Sequence, residues 1–518
     1  MLCGLLLGCR GEVMDPPVAG EIRHVLLISL DTTRADHLGC YGDTRGLTPN
    51  LDRLAARGVR FESATSPAPT TLAAHTSIFT GTYPQTHGVA RNGFVVNPEN
   101  ETLAELFQAA GWATGAVLGS FALDSRFGLD QGFDRFDEDF DLQIGVTADR
   151  TLDRDQNQRQ AKSVTTAALK QFAQVQDERS FHFVHYFDPH VPYEAPRDFV
   201  ERFGAEDAPA SARDSDIEER VVALQAPILG EGVGLSAVIG GGLTPELLEG
   251  ADGEPDDASL ALASLYAAEV SYMDAEVGRL LDGLESSGQL ANTLIVLTGD
   301  HGETFWEHGD FWNHGLWLYQ TTVHVPLVVV LPDGKGAGTQ VSDPVSTIDV
   351  FPTLAELIKL PLNERVEGVS LAGALEGRVL AERPLFLCAT QPYRFEPPPE
   401  RSDVWTNQAK PQAVRRGPWK YVIAPYVQGG YQQLFHLGRD PGERTNLLLG
   451  NPGPQAKQAL VELRGILEAH WKNAAPLPSA FDSSQTEDTR RRLAGIGYSG
   501  NVNDEEQDDD AATDEEGR

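Results

Sequence analysis

The sequence is poor in cysteine, in basic residues and in long apolar segments. Its four cysteines, Cys3, Cys9, Cys40 and Cys388, have neither the spacing of a zinc ribbon nor that of a disulfide framework. No apolar run approaches the ~20 residues of a membrane span, which argues against an integral membrane protein. The chain has 41 Lys and Arg against 76 Asp and Glu, a net charge of −35. Because nucleic-acid binding depends on basic surface that neutralises phosphates, no nucleic-acid partner is expected.

The composition is that of a globular protein, since 41% of the 518 residues are apolar and 23% are charged. Short apolar runs of β type alternate with helical patterns, which predicts βαβ units. We predict strands over residues 24–30, 113–118, 181–187, 294–297 and 326–331, and helices over residues 48–58, 72–79, 101–110, 164–176, 260–284 and 349–359. The sequence therefore predicts an α/β fold with a mainly parallel sheet and helices on both faces.

Changes in composition divide the chain into segments. The α/β domain is predicted over residues 22–390, with a surface insertion rich in Ala, Gly, Asp and Glu at 205–258. Residues 391–475 contain Trp, Tyr, Pro and short β-like pieces, which predict a small antiparallel C-terminal subdomain. Residues 476–518 form a tail whose acidic end has little apolar surface to bury, so we expect the tail to be disordered.

The N-terminal segment, residues 1–21, resembles a lipoprotein signal followed by a linker. The tetrapeptide LLGC at residues 6–9 has the form of a bacterial lipobox, in which Cys9 becomes the lipidated first residue. This interpretation predicts a lipid anchor at Cys9 and a periplasmic lipoprotein of the cell envelope. No basic residue precedes the short apolar stretch, however, and Met14 is an alternative start that would give a cytoplasmic protein.

Acidic and histidine side chains follow three of the predicted strands. These side chains are Asp31 after the first strand, Asp188 and His190 after the strand at 181–187, and Asp300 and His301 after the strand at 294–297. Ligands of open parallel sheets bind outside the carboxyl ends of the strands. We therefore expect the three segments to meet at one edge of the sheet, where their side chains offer metal-ligand chemistry.

Two further segments contain candidate site residues. In the segment at 66–89, Thr71 lies at the N-terminus of a predicted helix, where free N–H groups and the helix dipole favour an anion. His75 lies four residues later, on the same helix face. In the segment at 306–317, His308 and His314 each have three interpretations: a metal ligand, a donor to the substrate, or a satisfied surface histidine.

Taken together, these segments resemble the sulfatase family of the alkaline phosphatase superfamily over roughly residues 22–450. The motifs are, in order, LISLDTTRADHLGCYG, TPNLDRLAARGVRF, TLAAHTSIFTGTYPQTHGV, VLGSFALDSRFGLDQGFD, YFDPHVPY, TLIVLTGDHGETFWEHG, HVPLVVV and LFHLGRDPGERTNLL. The resemblance implies an α/β/α sandwich with a small C-terminal antiparallel α+β subdomain, and hydrolysis of sulfate or phosphate esters. By matching position, it implies that Asp31, Asp300 and His301 bind a metal together with Thr71, the nucleophile.

Three features depart from those of typical sulfatases. Thr71 occupies the position of the Cys or Ser that sulfatases oxidise to formylglycine, and a secondary alcohol cannot form that aldehyde. The pairs Asp31-Thr32 and Asp300-His301 replace the Asp-Asp and Asp-Asn pairs of sulfatases. The imidazole favours zinc or manganese as the divalent metal, with oxygen-preferring calcium as the alternative. The Lys-x-His element of sulfatases is missing after GWATG.

The predicted mechanism is an in-line attack by metal-bound Thr71 on phosphorus or sulfur. In this mechanism His75 stabilises the equatorial oxygens, and His190 or His314 protonates the leaving oxygen. Two interpretations remain open for Asp188, His190 and His314. These residues either hold a second metal or, together with His308, contact the substrate.

The expected substrate is a sulfate or phosphate ester of a small molecule, a glycan or a lipid. Water can hydrolyse a threonyl phosphate, whereas a threonyl sulfate lacks the exit that a formylglycine hydrate provides. The chemistry therefore favours phosphate diesters and phosphonate monoesters. The alternatives are a formylglycine-independent, arylsulfatase-like enzyme, a transferase of phosphoethanolamine or phosphoglycerol groups, and a non-catalytic binding protein.

Overall fold

A computed structural model of the chain describes residues 20–140, 142–146, 152–203, 257–309, 314–390, 410–424 and 431–479, together with residues 489, 492 and 493. The predictions for the lipoprotein signal with Cys9, for nearly all of the insertion at 205–258 and for most of the tail at 476–518 lie outside these residues.

The strands are short and mostly buried. In chain order they are β1 (His24–Leu30), β2 (Val59–Phe61), β3 (Ala64–Thr65), β4 (Ala113–Val117), β5 (Arg135–Asp137), β6 (Leu142–Val146), β7 (Leu152–Gln158), β8 (Ser180–Tyr186), β9 (Thr293–Gly299), β10 (His324–Val325), β11 (Leu327–Val330), β12 (Thr339–Val341), β13 (Val345–Ser346), β14 (Leu385–Cys388), β15 (Gln412–Arg416), β16 (Trp419–Ala424) and β17 (Tyr431–His436).

The helices lie between these strands. In chain order they are α1 (Pro49–Ala56), α2 (Thr71–Thr80), α3 (Pro84–His87), α4 (Leu103–Ala109), α5 (Ala161–Gln174), α6 (Arg197–Phe203), α7 (Asp257–Ser286), α8 (Gln320–Val323), α9 (Val350–Ile358), α10 (Ala372–Leu375) and α11 (Pro454–Lys472). Within the described part of the chain, no helix is both long enough and apolar enough to cross a lipid bilayer.

An eight-stranded sheet, in the order β12-β2-β11-β9-β1-β8-β4-β5, forms the centre of the molecule. Five neighbouring strands, from β9 to β5, run parallel to one another. Strand β11 runs antiparallel to both β9 and β2, whereas β2 and β12 are parallel. The prediction of a mainly parallel sheet is therefore confirmed.

Helices cover both faces of this sheet. Along β1, Val25 and Leu27 pack into a core with residues of α2, α4 and α9. The alternate residues Leu26 and Ile28 pack into a second core with residues of α1, α5 and α7. Because successive strand side chains point to opposite faces, the continuous apolar sequence of β1 requires both layers. The predicted α/β/α sandwich is confirmed.

The carboxyl ends of the three central strands are in register. Leu30, the last residue of β1, pairs with Tyr186 of β8 and with Gly299 of β9. The residues that follow each strand therefore emerge at the same level of the sheet, which makes this edge the natural place for a shared site.

A separate four-stranded antiparallel sheet, in the order β14-β15-β16-β17, forms the C-terminal part. Helix α11 packs on it through Leu463 and Leu467, which contact a core that includes Val414 and Tyr421. The predicted antiparallel C-terminal sheet is confirmed. Its first strand, β14, lies before residue 391, because the Pro-rich composition that begins near residue 390 belongs to the connection between β14 and β15.

Candidate active site

The ends of β1 and β9 bring two aspartates and a histidine together. Asp31 follows β1, Asp300 and His301 follow β9, and all three residues are fully buried. One ligand atom from each residue lies within 4.8 Å of the ligand atoms of the other two. The convergence predicted from the strand ends is therefore confirmed for these three residues, and their role as metal ligands stays a prediction.

Three atoms of this cluster make no hydrogen bond within the described residues: Oδ1 of Asp31, Oδ2 of Asp300 and Nε2 of His301. Nε2 of His301 lies 3.4 Å from Oδ2 of Asp300 and 3.8 Å from Oδ1 of Asp31. Buried polar atoms are nearly always hydrogen-bonded, so three unpaired atoms that face one another indicate a ligand.

Burial sets the protonation of this cluster in the absence of a cation. It raises the pKa of Asp31 and that of Asp300, because the charged carboxylates are poorly solvated, and it lowers the pKa of His301. A divalent cation would offset the cost of burying two carboxylates and would bind the unprotonated imidazole nitrogen. Two oxygen donors and one nitrogen donor therefore fit a divalent metal.

Thr71 is the first residue of α2, as the sequence predicts, and it is fully buried. The helix starts after Thr70, whose backbone is extended, and ends at Gly81, whose φ of 65° suits glycine. Oγ1 of Thr71 donates a hydrogen bond to Oδ2 of Asp31 over 3.4 Å. Asp31 thus contacts Thr71 through Oδ2, whereas its Oδ1 faces the unpaired atoms of Asp300 and His301.

Asn92 also lies beside the start of α2, and the sequence analysis missed it. Its Oδ1 accepts a hydrogen bond from the backbone N–H of Leu72 over 2.7 Å. Its Nδ2 is buried and has no hydrogen-bond partner in the described part of the chain. This arrangement places an unused N–H donor next to Thr71. Asn92 belongs to a loop whose position depends on tertiary contacts, so no local pattern indicates it.

The hydrogen-bond partners of His75 differ from those expected for a residue that contacts the substrate. Its Nδ1 lies 2.7 Å from the carbonyl oxygen of Thr71, which can only accept, so Nδ1 carries the hydrogen. Its Nε2 then accepts a hydrogen bond from Oγ of Ser29 over 2.7 Å. Both ring nitrogens are therefore used inside the protein, and neither is left for an oxygen of the substrate. This corrects the expectation that His75 stabilises the equatorial oxygens of the substrate.

His185 is a second residue that the sequence analysis missed. It lies on β8, is fully buried, and places Nε2 3.1 Å from Oδ2 of Asp31. The alternation of side chains along β8 indicates the sheet face on which His185 lies. His185 shares a strand face with Phe181 and Phe183, and these two phenylalanines pack in the core that contains α2.

His314 lies next to the metal-ligand cluster, with its ring centroid 4.6 Å from that of His301 and 5.1 Å from that of His190. Its Nδ1 is 3.0 Å from Oε2 of Glu303, a residue that the sequence analysis did not single out. His190 donates from Nδ1 to the carbonyl oxygen of Val191 over 2.5 Å. Burial lowers the pKa of His314 to about 3 and raises the pKa of Glu303. The structure therefore brings both predicted proton donors to the site.

Asp188 and His308 have other partners. Oδ1 of Asp188 accepts a hydrogen bond from the backbone N–H of Ala161, the first residue of α5, over 2.8 Å. The ring of His308 stacks on Tyr319 at 3.7 Å. Across the described segments, only the Asp31 cluster brings three ligand atoms within 4.8 Å of one another. The second metal site considered for Asp188, His190 and His314 is therefore not formed by these three side chains.

Comparison with known proteins agrees with this architecture. A family model described as Sulfatase matches residues 23–360. Choline-sulfatase of Rhizobium meliloti (strain 1021) is 35% identical over 234 residues, which cover 44% of this chain and 40% of that protein. Arylsulfatase of Clostridium perfringens (strain 13 / Type A) is 23% identical over 495 residues, which cover 86% of this chain and 93% of that protein.

Among solved structures, the phosphonate monoester hydrolase of Agrobacterium radiobacter superposes with a TM-score of 0.64. The superposition covers 87% of this chain and 96% of that protein, at 23% sequence identity, and at this identity it shows the fold alone. The family match, in contrast, spans β1 to α9 and includes Asp31, Thr71, Asp300 and His301. The chain therefore belongs to the sulfatase family.

Proposed function

We propose that the chain is a divalent-metal-dependent hydrolase of phosphate diesters or phosphonate monoesters, with Thr71 as its nucleophile. Family membership makes it a hydrolase of sulfuric or phosphoric esters. The nucleophile and the preference for phosphorus are the proposed part. The observation that supports Thr71 as the nucleophile most directly is the hydrogen bond between its Oγ1 and Oδ2 of Asp31, because it puts a hydroxyl beside three unpaired ligand atoms.

The metal would be held by Oδ1 of Asp31, Oδ2 of Asp300 and Nε2 of His301. When bound there, a divalent cation supplies positive charge next to the hydroxyl of Thr71 and the oxygens of the substrate. The nitrogen donor favours zinc or manganese over calcium, which prefers sites made entirely of oxygen.

Thr71 performs the covalent step in this proposal. Its hydrogen bond to Asp31 and the contact of its carbonyl oxygen with His75 fix the first turn of α2. Oγ1 passes its proton to Oδ2 of Asp31 and attacks phosphorus, the P–O bond to the alcohol breaks, and the alcohol leaves with a proton from His314. Water then attacks the phosphorus of this threonyl ester, which keeps the second group of the substrate. The proton of the water returns through His314 to Glu303, and Oγ1 takes its own proton back from Asp31 as the bond to phosphorus breaks.

Asn92 is proposed to bind a non-bridging oxygen of the substrate. Its Nδ2–H is buried beside the N-terminus of α2, and the contact with Leu72 fixes the amide group before the substrate arrives. A donor that is already oriented needs no reorganisation as negative charge develops on the oxygen. The dipole of the ten-residue helix α2 acts in the same direction.

His314 is proposed to protonate the leaving oxygen. The carboxyl group of Glu303, at 3.0 Å from Nδ1, fixes the orientation of the ring. In this proposal Glu303, whose pKa burial raises, passes a proton to Nδ1 of His314 as Nε2 releases its own proton to the alcohol. The net result is one proton moved from Glu303 to the leaving group.

The preference for phosphorus follows from the chemistry of the threonine side chain. A formylglycine hydrate releases sulfate by breaking its own C–O bond, and Thr71 cannot form such a hydrate. Water attacks a phosphoryl group on threonine directly, so the same residue can complete a phosphatase cycle. The phosphonate monoester hydrolase of the same fold is consistent with this substrate class.

A second candidate function is hydrolysis of sulfate esters without formylglycine. Two relatives are named choline-sulfatase and arylsulfatase, and the first shares 35% of its residues with this chain over the matched region. This candidate requires direct attack of water on the sulfur of a threonyl sulfate, or on the substrate itself.

A single set of esters separates the two candidates. We would measure kcat/KM for a sulfate, a phosphate monoester, a phosphate diester and a phosphonate monoester with the same aryl leaving group, after adding zinc, manganese or calcium to metal-free protein. The proposal expects the diester or the phosphonate to be favoured by about a hundredfold, or about 2.7 kcal/mol. A sulfate ester as the best substrate, with calcium as the best metal, would contradict it.

A further inference from the structure

The two carboxylate oxygens of Asp31 have different surroundings. Oδ2 lies 3.1 Å from Nε2 of His185 and accepts a second hydrogen bond from Thr71. Oδ1 makes no hydrogen bond with any described residue and faces His301. One oxygen is therefore occupied by protein donors, and the other remains for a ligand.

The neighbours of His185 assign the hydrogen on its ring. The backbone N–H of Gly119 points to Nδ1 over 3.4 Å, so Nδ1 is the acceptor and Nε2 carries the hydrogen that Asp31 accepts. Glycine is required for this approach, because a Cβ at position 119 would lie 2.9 Å from the carbonyl oxygen of His185 and 2.9 Å from the backbone nitrogen of Phe187.

The ring of His185 is also held by its packing. The ring of His75 meets it nearly at right angles, at a centroid distance of 5.0 Å. Phe183 of β8 and Phe187, the residue after this strand, also lie near it, with centroid distances of 6.3 and 6.4 Å. Both His75 and His185 are fully buried, so neither ring can turn to water for another partner.

We propose that His185 is a positioning residue for the metal site. By donating from Nε2 to Oδ2, it fixes the rotation of the Asp31 carboxylate so that Oδ1 faces Asp300 and His301. The inference rests on the metal-dependent function proposed above and adds to it a residue that touches neither metal nor substrate. Partners that orient metal ligands in this way typically change metal affinity 10–100-fold when they are removed.

Two amide substitutions test the hydrogen bond. The side-chain nitrogen of glutamine reaches about as far as Nε2 of histidine, whereas that of asparagine reaches only about as far as Nδ1. We expect His185→Asn to raise the dissociation constant for zinc or manganese about 10–100-fold, and His185→Gln to stay close to the unchanged protein. The constants would be measured on the full chain, stripped of metal, by competition with a chromogenic chelator.

A matched control is available on the same strand. His182 is also buried on β8, but it faces α5, where its ring stacks on Phe172 at 3.8 Å. We expect His182→Asn to leave the dissociation constant unchanged. If His185→Asn does not fold, as judged by the melting temperature of the metal-free protein, His185→Phe replaces it as the variant without a donor.

The outcomes distinguish this inference from the proposed function. Equal dissociation constants for the unchanged protein, His185→Gln and His185→Asn, or His185→Phe in its place, would overturn the positioning role. So would an equal loss of affinity in His185→Gln and in His185→Asn or its replacement. Asp300→Ala must abolish binding, which identifies the cation measured as the one in this site. A chain that binds the cation as expected but hydrolyses no ester would contradict only the proposed function.

Discussion

Lys420 and Glu443 form an ion pair with 2.7 Å between Nζ and Oε1, and both side chains are fully buried. Nζ of Lys420 also donates to the carbonyl oxygen of Leu318. Oε2 of Glu443 accepts a hydrogen bond from the backbone N–H of Gln320 over 2.5 Å. The C-terminal part of the chain therefore binds residues 318–320, which lie a few residues after His314.

Removing one partner of this pair is expected to destabilise the protein strongly. Lys420→Met leaves the carboxylate of Glu443 buried without its ion-pair partner, which should lower the free energy of unfolding by about 3–5 kcal/mol. The double variant Lys420→Met/Glu443→Leu removes both charges and should recover most of this loss. Urea unfolding of both variants gives the comparison, and a double variant that is less stable than the single one would contradict the argument.

Thr71→Ala is expected to abolish ester hydrolysis, because the nucleophilic oxygen is lost. Metal binding should partly survive, since Asp31, Asp300 and His301 are unchanged. Thr71→Ser is the control, because it keeps a hydroxyl at the same place. Rapid quenching followed by intact-mass measurement should show one covalent adduct on the unchanged protein, with the mass of the substrate minus its leaving alcohol, and no such adduct on Thr71→Ala. Near-normal activity of the alanine variant would mean that water attacks the substrate directly.

The fold was largely predictable because its central strands have unambiguous sequences. The apolar runs that form β1 and β8 were placed to within one residue. The convergence of Asp31 and Asp300 followed from β1 and β9, since parallel strands end at one edge of the sheet. The antiparallel direction of β11 was not predictable, because an apolar run of four residues does not encode its orientation.

The position of Asp188 could not be predicted from the strand ends. Tyr186, the last residue of β8, pairs with Leu30 in register, so the residue at the level of Asp31 is Phe187, which follows the strand. Asp188 comes one residue later and reaches the N-terminus of α5 instead of the metal-ligand cluster. Glu303 and Asn92 belong to loops, and their roles depend on contacts with residues distant in the sequence. The sequence alone does not specify such contacts.

Replacement of His314 is expected to affect esters according to their leaving group. His314→Asn should lower kcat/KM for alkyl esters by about 10²–10⁴-fold, because an alkoxide needs a proton in order to leave. Aryl esters with an acidic phenol should lose much less. Glu303→Gln should follow the same order with a smaller effect, since the ring remains but its carboxyl partner is gone. An equal loss on alkyl and aryl esters would exclude a proton donor and indicate a role in binding.

Lipidation at Cys9 is expected to anchor the protein to a membrane. The native protein should partition with membranes, and Cys9→Ser should release it. One acyl chain gives only marginal binding, so the mass of the mature N-terminus should show the two or three chains of a bacterial lipoprotein. Recovery of native protein from the cytoplasm with Met1 still attached would contradict both the anchor and the export.

Lys410 is expected to make the stability of the protein depend on pH. Its side chain is buried, donates to the carbonyl oxygen of Ala90 over 3.4 Å, and has its pKa lowered by burial from 10.5 to about 7. Between these values the unfolded chain keeps a proton that the folded protein has lost. The free energy of unfolding should therefore rise with pH above about pH 7, by about 1.4 kcal/mol per pH unit from this group. Below about pH 7 the folded protein carries a buried charge at Lys410. Because Lys410→Met lacks this charge, it should be more stable than the unchanged protein there. The free energy of unfolding of both proteins would be measured in urea between about pH 7 and pH 9. The difference between the two values removes the contribution of all other titrating groups, because they are the same in both proteins. Two parallel pH profiles would show that Lys410 is not buried in its neutral form.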